Sequence, residues 1–320
     1  MPCRLTKIEY CLPERMRTNR DLGNVFPDFK AEKIEKKIGI VSRHIAADTE
    51  TALDMAEKVC ARLFSHYDRQ RIDYLLLCTQ SPDYFLPTSA CILQDRLQLS
   101  RNIGALDFNL GCSGFVYGLS LAKGLIAAGI AEHVLLVTAE TYSKYLAPDD
   151  KGNMSLFGDA AAAAVIETHD TECIHSFSLG TDGRGFPNLI VANGGSRSPK
   201  DGGAGDFLFM DGPEIFNFAL EALPPLINDV LRKNNLKKEE VDHFIFHQAN
   251  RYMLNSLQKL LEIPEEKFYI NLHDTGNTVS STIPIALKQA EADGIIKPGD
   301  KVLLAGFGVG YSYGATIITF

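Results

Sequence analysis

The stretch that decides the fold is Gly104–Glu140, GALDFNLGCSGFVYGLSLAKGLIAAGIAEHVLLVTAE. An apolar strand-like run ends near Asn109, and the chain turns through Leu110-Gly111-Cys112-Ser113-Gly114 into a helix of small and apolar residues. After a break at Gly129, a second strand follows at Val134–Val137. Cys112 therefore sits where a buried strand hands over to a buried helix, facing the first-turn amides and the positive end of the helix dipole. A free cysteine titrates near pH ~8.5, and bringing it to neutrality takes roughly 2 kcal/mol, the upper end of what a partly buried helix terminus contributes. On that reckoning Cys112 is an activated nucleophile without an adjacent base. The competing reading is a small hydrophobe in a tight turn.

Working outward, the same alternation of apolar strand and helix recurs. Residues 4–10 read as a short strand, and Thr49–Ser65 has helical spacing. Asp73–Cys78 is a continuous apolar run of the kind buried on both faces of a parallel sheet, and Pro87–Leu97 reads as a helix. Glu14–Lys37 is charged and reads as irregular. The second half repeats the plan: Asp242–Phe246 answers Asp73–Leu77, and Lys301–Ala305 answers His133–Val137 at almost the same separation. The turn at Gly276-Asn277, with its helix Ser281–Ala290, takes the place of the Cys112 turn and helix. This points to an internal duplication, with halves at 1–170 and 171–320, and to an α/β fold with helices against largely parallel sheets. Chance likeness between generic α/β segments is the alternative. Asn193–Gly205, NGGSRSPKDGGAG, reads as a surface loop.

Composition narrows the function classes. The 320 residues carry 45% hydrophobic and 22% charged side chains, as in ordinary globular proteins, and a formal net charge of −8 that argues against nucleic-acid binding. An acidic macromolecular partner would need a local basic patch. Seven cysteines, an odd number without a CxxC pair, indicate free thiols in a reducing compartment and no zinc site. No signal-peptide core or membrane-length apolar run is visible, so a cytoplasmic protein is expected.

Beyond Cys112, three segments carry possible chemistry. His247 directly follows a buried strand, Asn277 lies in a glycine-containing turn before a helix, and Gly306–Tyr311 is a glycine-rich turn after the last long strand. If the halves pack about a pseudo-twofold axis, Cys112, His247 and Asn277 meet in one crevice. Each of the three is equally at home in a structural role.

The segments LGCSGFVYGL (110–119), HQAN (247–250), GNTVSSTIPIAL (276–287) and LAGFGVGYSYGAT (304–316), with FGDAAAA (157–163), resemble those of beta-ketoacyl-acyl-carrier-protein synthase III, a thiolase-superfamily family. They occur in the family's order and spacing over nearly the whole chain. The resemblance implies a thiolase-like five-layered αβαβα fold, a homodimer and a Cys112–His247–Asn277 triad. It implies acylation of Cys112, then decarboxylative Claisen condensation with malonyl-acyl-carrier protein, in fatty acid or related acyl-chain biosynthesis. Turn amides at Cys112, Gly308, Val309 and Gly310 would hold the oxyanion. Leu86, Tyr142, Leu156, Phe157, Leu189 and Phe307 match acyl-channel positions. Contacts to carrier protein or coenzyme A map to Lys33, Lys37, Lys151, Gln248, Ala249, Asn250, Arg251, Tyr252 and Lys259. No tightly bound cofactor is implied, the substrates being acyl-coenzyme A or acyl-carrier protein. The chain departs from the family at Lys33 and Lys151, where coenzyme A-using members place an aromatic ring and an arginine around the adenine, and lysine lacks a stacking plane. Transfer of the acyl group to another acceptor, and a non-catalytic carrier-binding subunit, are the alternatives.

Overall fold

A computed structural model describes residues 1–320. The chain opens with β1 (Cys3–Cys11), the short strand β2 (Met16–Thr18), helices α1 (Asn19–Val25) and α2 (Ala31–Ile38), and β3 (Ser42–His44). It continues through α3 (Ala52–Phe64), β4 (Tyr74–Cys78), α4 (Ser89–Arg96), β5 (Gly104–Phe108), α5 (Gly114–Ala127), β6 (His133–Glu140), α6 (Lys151–Leu156) and β7 (Ala160–Thr168). Then come β8 (Ile174–Thr181), the β9 (Leu189–Val191) and β10 (Leu208–Met210) pair, and α7 (Gly212–Lys233). The last elements are β11 (His243–Phe246), α8 (Arg251–Leu260), α9 (Thr282–Ala292), β12 (Lys301–Gly308) and β13 (Ser312–Thr319).

Two sheets form the frame. The first has the order β1-β7-β6-β4-β5, the second β11-β12-β13-β8. The second reproduces the first with β11 in the place of β4, β12 of β6, β13 of β7 and β8 of β1. A lone parallel bridge, Phe244 to Phe268, stands where β5 would be. The sheets are mixed rather than largely parallel: β4 pairs in parallel with β5 and β6, but β7 runs antiparallel to both its neighbours, as β13 does in the second sheet. The residue pattern hides this. A strand buried on both faces is continuously apolar in either direction, and Ala160–Ile166 is all small or apolar.

Three apolar clusters separate the layers. α3 and α4 bury Leu53, Met55, Val59 and Leu93 against Leu75, Leu77, Leu135 and Val137 of the first sheet. α5 and α9 form the middle layer, with Phe115, Leu119, Ile283 and Leu287 packed between Leu76 and Leu136 on one side and Ile245 and Leu304 on the other. α7 and α8 cover the second sheet through Leu223, Ile227, Leu254 and Leu257 against Phe244, Phe246 and Leu303. The stack is αβαβα. At about 0.8 kcal/mol per buried CH₂, these three interfaces dominate the folding free energy. The segment read as irregular, Glu14–Lys37, contains β2, α1 and α2; Thr18 closes a capping box with Asp21, and Ile38 and Leu22 anchor the helices. The Asn193–Gly205 loop is tied down by Asn193 Nδ2 donating to Asp201 and Asp206.

Candidate active site

The strand ends of the two sheets bring the turns after β5, β11 and β12, and the turn before α9, to one place. Gly308 ends β12 flat against the Cys112 turn: a methyl group there would lie 2.9 Å from both Cβ and Sγ of Cys112, so only glycine permits this approach. The same holds at Gly111, where a Cβ would meet Val309 Cγ1 at 2.8 Å and Val279 Cγ1 at 3.2 Å. Cys112, Val309 and Val279 are thus neighbours drawn from three separate segments.

The Cys112 sulfur faces the N–H groups of Val309 and of Cys112 itself, and both favour the thiolate. Cys112 is only 7% exposed, however. Burial pushes the thiol up to about 12, and the charge of Glu140 adds to the rise. The activated resting thiolate expected from the helix terminus is therefore not what the structure holds. A helix dipole contributes at most about 2 kcal/mol at such a site, and desolvation of a sealed thiolate exceeds it.

His247 follows β11 and is fixed by its own N–H to Ala305 O (2.8 Å), by the 2.8 Å hydrogen bond between Nδ1 and Thr282 Oγ1, and by an edge-on contact with the Phe307 ring. Burial drives the imidazole down to about 3, so it is neutral over the physiological range. Asn277 is held at both ends of its backbone, its N–H donating to Leu156 O (2.9 Å) and its carbonyl accepting from Gly158 (3.0 Å). Its side-chain Oδ1 accepts from the Val279 N–H at 2.9 Å. Val279 adopts a left-handed φ of 55°, unusual for a β-branched residue and of the kind that concentrates at functional sites. Thr282 Oγ1 also donates to Val279 O (3.2 Å), so one short turn orients both His247 and Asn277.

A cavity of about 860 Å³ adjoins this cluster. Among the expected channel residues, Tyr142 and Leu189 line it, joined by Leu208, Gln80 and Val309. Phe157 and Phe307 are buried at 3% and 1%, off its wall, with Leu156 half-buried beside them. Leu86 is off the wall and projects from the surface, 83% exposed, next to Tyr84 and Phe85, which are exposed themselves and line the cavity. Cys112, His247 and Asn277 are themselves off the wall, which is formed beside them by Val309 and Gln80.

The expected contact residues divide. Lys33, Lys37, Arg251, Tyr252 and Lys259 are exposed, with the Lys37 ammonium 6.0 Å from the Tyr252 ring and Tyr252 stacked on Phe216. Lys151 is paired with Asp28. Gln248 is buried and already engaged, donating to Phe246 O (2.6 Å) and accepting from Asn271 N (2.7 Å). Ala249 is buried beside it, and Asn250 caps α8 by accepting from Met253 N. These three hold the segment in shape. Sequence reasoning passed over Glu140, Ser280 and Thr282; the visible signal is an acid closing a strand that is apolar or small from Val134 to Ala139.

No helix is long and apolar enough to cross a membrane, and no cluster of His, Cys, Asp and Glu has the makings of a metal site. The family models for the 3-oxoacyl-[acyl-carrier-protein (ACP)] synthase III domain and its C-terminal domain match residues 106–183 and 231–320. Beta-ketoacyl-[acyl-carrier-protein] synthase III of Clostridium perfringens is 38% identical over 312 residues, covering 96% of this chain and 95% of the relative. That of Fusobacterium nucleatum is 35% identical over 316 residues, covering 97% and 96%. A crystal structure of a 3-oxoacyl-(acyl-carrier-protein) synthase III superposes over 100% of both chains with a TM-score of 0.98 and 45% identity. The chain belongs to the 3-oxoacyl-[acyl-carrier-protein] synthase III family.

Proposed function

We propose that this condensing acyltransferase carries the acyl group on Cys112 and uses His247 and Asn277 to receive a malonyl thioester. One observation supports the reading: the sulfur faces the N–H groups of Cys112 and Val309, and the turn at Val279, which orients both the neutral imidazole and the Asn277 carboxamide, lies against the same Cys112 turn.

In the first half-reaction, the Cys112 sulfur attacks the carbonyl of an acyl thioester. Its carbonyl oxygen develops charge against the backbone amides, the carbon–sulfur bond to the donor breaks, and the Cys112 proton ends on the departing thiol. A thiol raised by burial suits this order, since the sulfur gives up its proton only as the donor leaves. In the second, the malonyl thioester oxygen sits between His247 and Asn277. Loss of carbon dioxide leaves an enolate that needs fixed donors rather than a base. Its carbon attacks the acyl carbonyl, the carbon–sulfur bond to Cys112 breaks, and the released thiolate takes a proton from water. Once Thr282 turns its one hydroxyl proton from Val279 O to Nδ1, the neutral ring carries its own proton on Nε2 and acts as a donor.

The donor of the acyl group is coenzyme A or a carrier protein; Arg251, Lys37, Lys33 and Lys259 offer the positive rim an acidic carrier needs. The chain works as a homodimer, with the open edge of β5 and the exposed Tyr84-Phe85-Leu86 tip as its contact face. Residues 1–170 and 171–320 are the halves of a duplication.

Intact-mass measurement after exposure to a panel of acyl-coenzyme A and acyl-carrier donors tests this reading. A single acyl adduct is expected on the protein and none on Cys112→Ala; carbon dioxide release from malonyl-acyl-carrier protein should follow. An adduct without malonyl turnover would point to a different acceptor, and no adduct would sink the nucleophile.

A further inference from the structure

Glu140 is a fully buried carboxylate, closing β6, that the chemistry above does not use. Its Oε1 accepts from Ser280 Oγ at 3.1 Å, and its Oε2 accepts from Ser81 Oγ and Gln80 N, both at 3.0 Å. No lysine, arginine or histidine reaches it. The titratable groups facing it are Cys112 from the nucleophile turn, Cys78 from β4, Tyr142 and Tyr145 from the turn after β6, and Asp159 before β7. Every one of these is neutral or negative, so no counter-charge offsets the carboxyl and it is held by hydrogen bonds alone.

Those bonds run to both halves. Ser81 and Gln80 belong to the loop after β4, and Gln80 reaches the cavity wall by accepting from Tyr142 Oη at 2.6 Å. Ser280 belongs to the Asn277–Thr282 turn, which β6 grips a second time through the 2.8 Å bond between Thr138 and Ser281. We propose that Glu140 is a positioning residue of the reaction: its carboxyl fastens the Asn277 arm to the Cys112 half, and its charge opposes ionisation of the Cys112 sulfur. This rests on Cys112 being the nucleophile. Burial lifts the carboxyl to about 8, so it is ionised in the alkaline range where Cys112 titrates and its charge is present when it matters. Two buried charges of one sign that face each other without a counter-charge shift each other by about a unit.

The test is the pH profile of Cys112 alkylation by iodoacetamide, located by peptide mapping to separate it from the other cysteines. Glu140→Gln keeps the shape and removes the charge, so its profile should move to lower pH by about one unit, or roughly tenfold faster alkylation on the rising limb. A profile that stays put or moves up overturns the proposal. Ser280→Ala keeps the charge and cuts the tie: malonyl decarboxylation should fall about tenfold while Cys112 acylation stays within about twofold. Equal loss in both half-reactions, or in neither, overturns the fastening. Cys112 resisting alkylation at every pH would instead remove the nucleophile assignment beneath it.

Discussion

Asn277 has half of its amide to give. Its oxygen is taken by Val279 N–H, which fixes the carboxamide and leaves its NH₂ as the donor to an incoming oxygen. Deleting one such preorganised donor from a site where charge develops typically slows the step about 10²–10³-fold. Asn277→Ala should therefore slow malonyl decarboxylation by that factor while acylation of Cys112, served by different amides, is nearly unchanged. Rates measured separately by carbon dioxide release and by intact mass check this, and parallel losses contradict the division of labour. Gly308→Ala acts on the other half. Its methyl lands within 2.9 Å of the Cys112 Cβ and Sγ, so β12 must retreat and carry the Val309 amide with it. Acylation should fall at least tenfold, and decarboxylation should fall less.

At the scale of elements, the turns are held by ordinary devices that can be weighed. Thr51 caps α3 by accepting from Asp54 N at 3.2 Å, the Asp54 carboxylate accepts in return from Thr51 N at 3.0 Å, and the Thr51 hydroxyl donates to Asp83. Thr51→Ala should cost about 1 kcal/mol, or roughly 2 °C in Tm on thermal melting. An unchanged Tm would mean the cap carries nothing. Such elements were legible in the sequence because their causes are local: the apolar period of α3, the unbroken apolar run of β4, and the glycines around Cys112. Strand direction in β7 was not, since two-sided burial erases the alternation that marks a solvated face. The same limit governs the site. Cys112, His247 and Asn277 stood out as residue types in turns, while the state of the thiol did not. Its ionisation is set by burial and by Glu140, 28 positions along the chain, and neither is written in the turn itself. Gln248 shows the converse, a conspicuous polar residue in a promising motif that is consumed by two backbone bonds.

For the whole molecule, the buried titrating groups shape stability from both sides of neutrality. His247 is held near 3 in the folded chain against about 6.5 when unfolded. Between those values the unfolded state binds the extra proton, so this stabilisation is complete above about 6.5 and is lost as pH falls toward 3. Glu140 works with the opposite sign. Its folded value of about 8 lies above the ordinary carboxyl value near 4.5, so the folded state binds the extra proton and stability drains away as pH rises between them. Above that range Cys112, lifted to about 12, continues the alkaline loss. Tm measured across pH should therefore fall on both limbs, and the limbs should separate by mutation. His247→Gln should flatten the descent below pH ~6.5, and Glu140→Gln the descent from pH ~5 to ~8. Because the gain from removing the Glu140 charge grows with pH, Glu140→Gln should melt higher than the parent at pH 8 relative to pH 5. A constant offset between the two proteins across that range would mean the carboxyl is already ionised at pH 5, and that the hydrogen bonds from Ser81, Ser280 and Gln80 fully offset its burial.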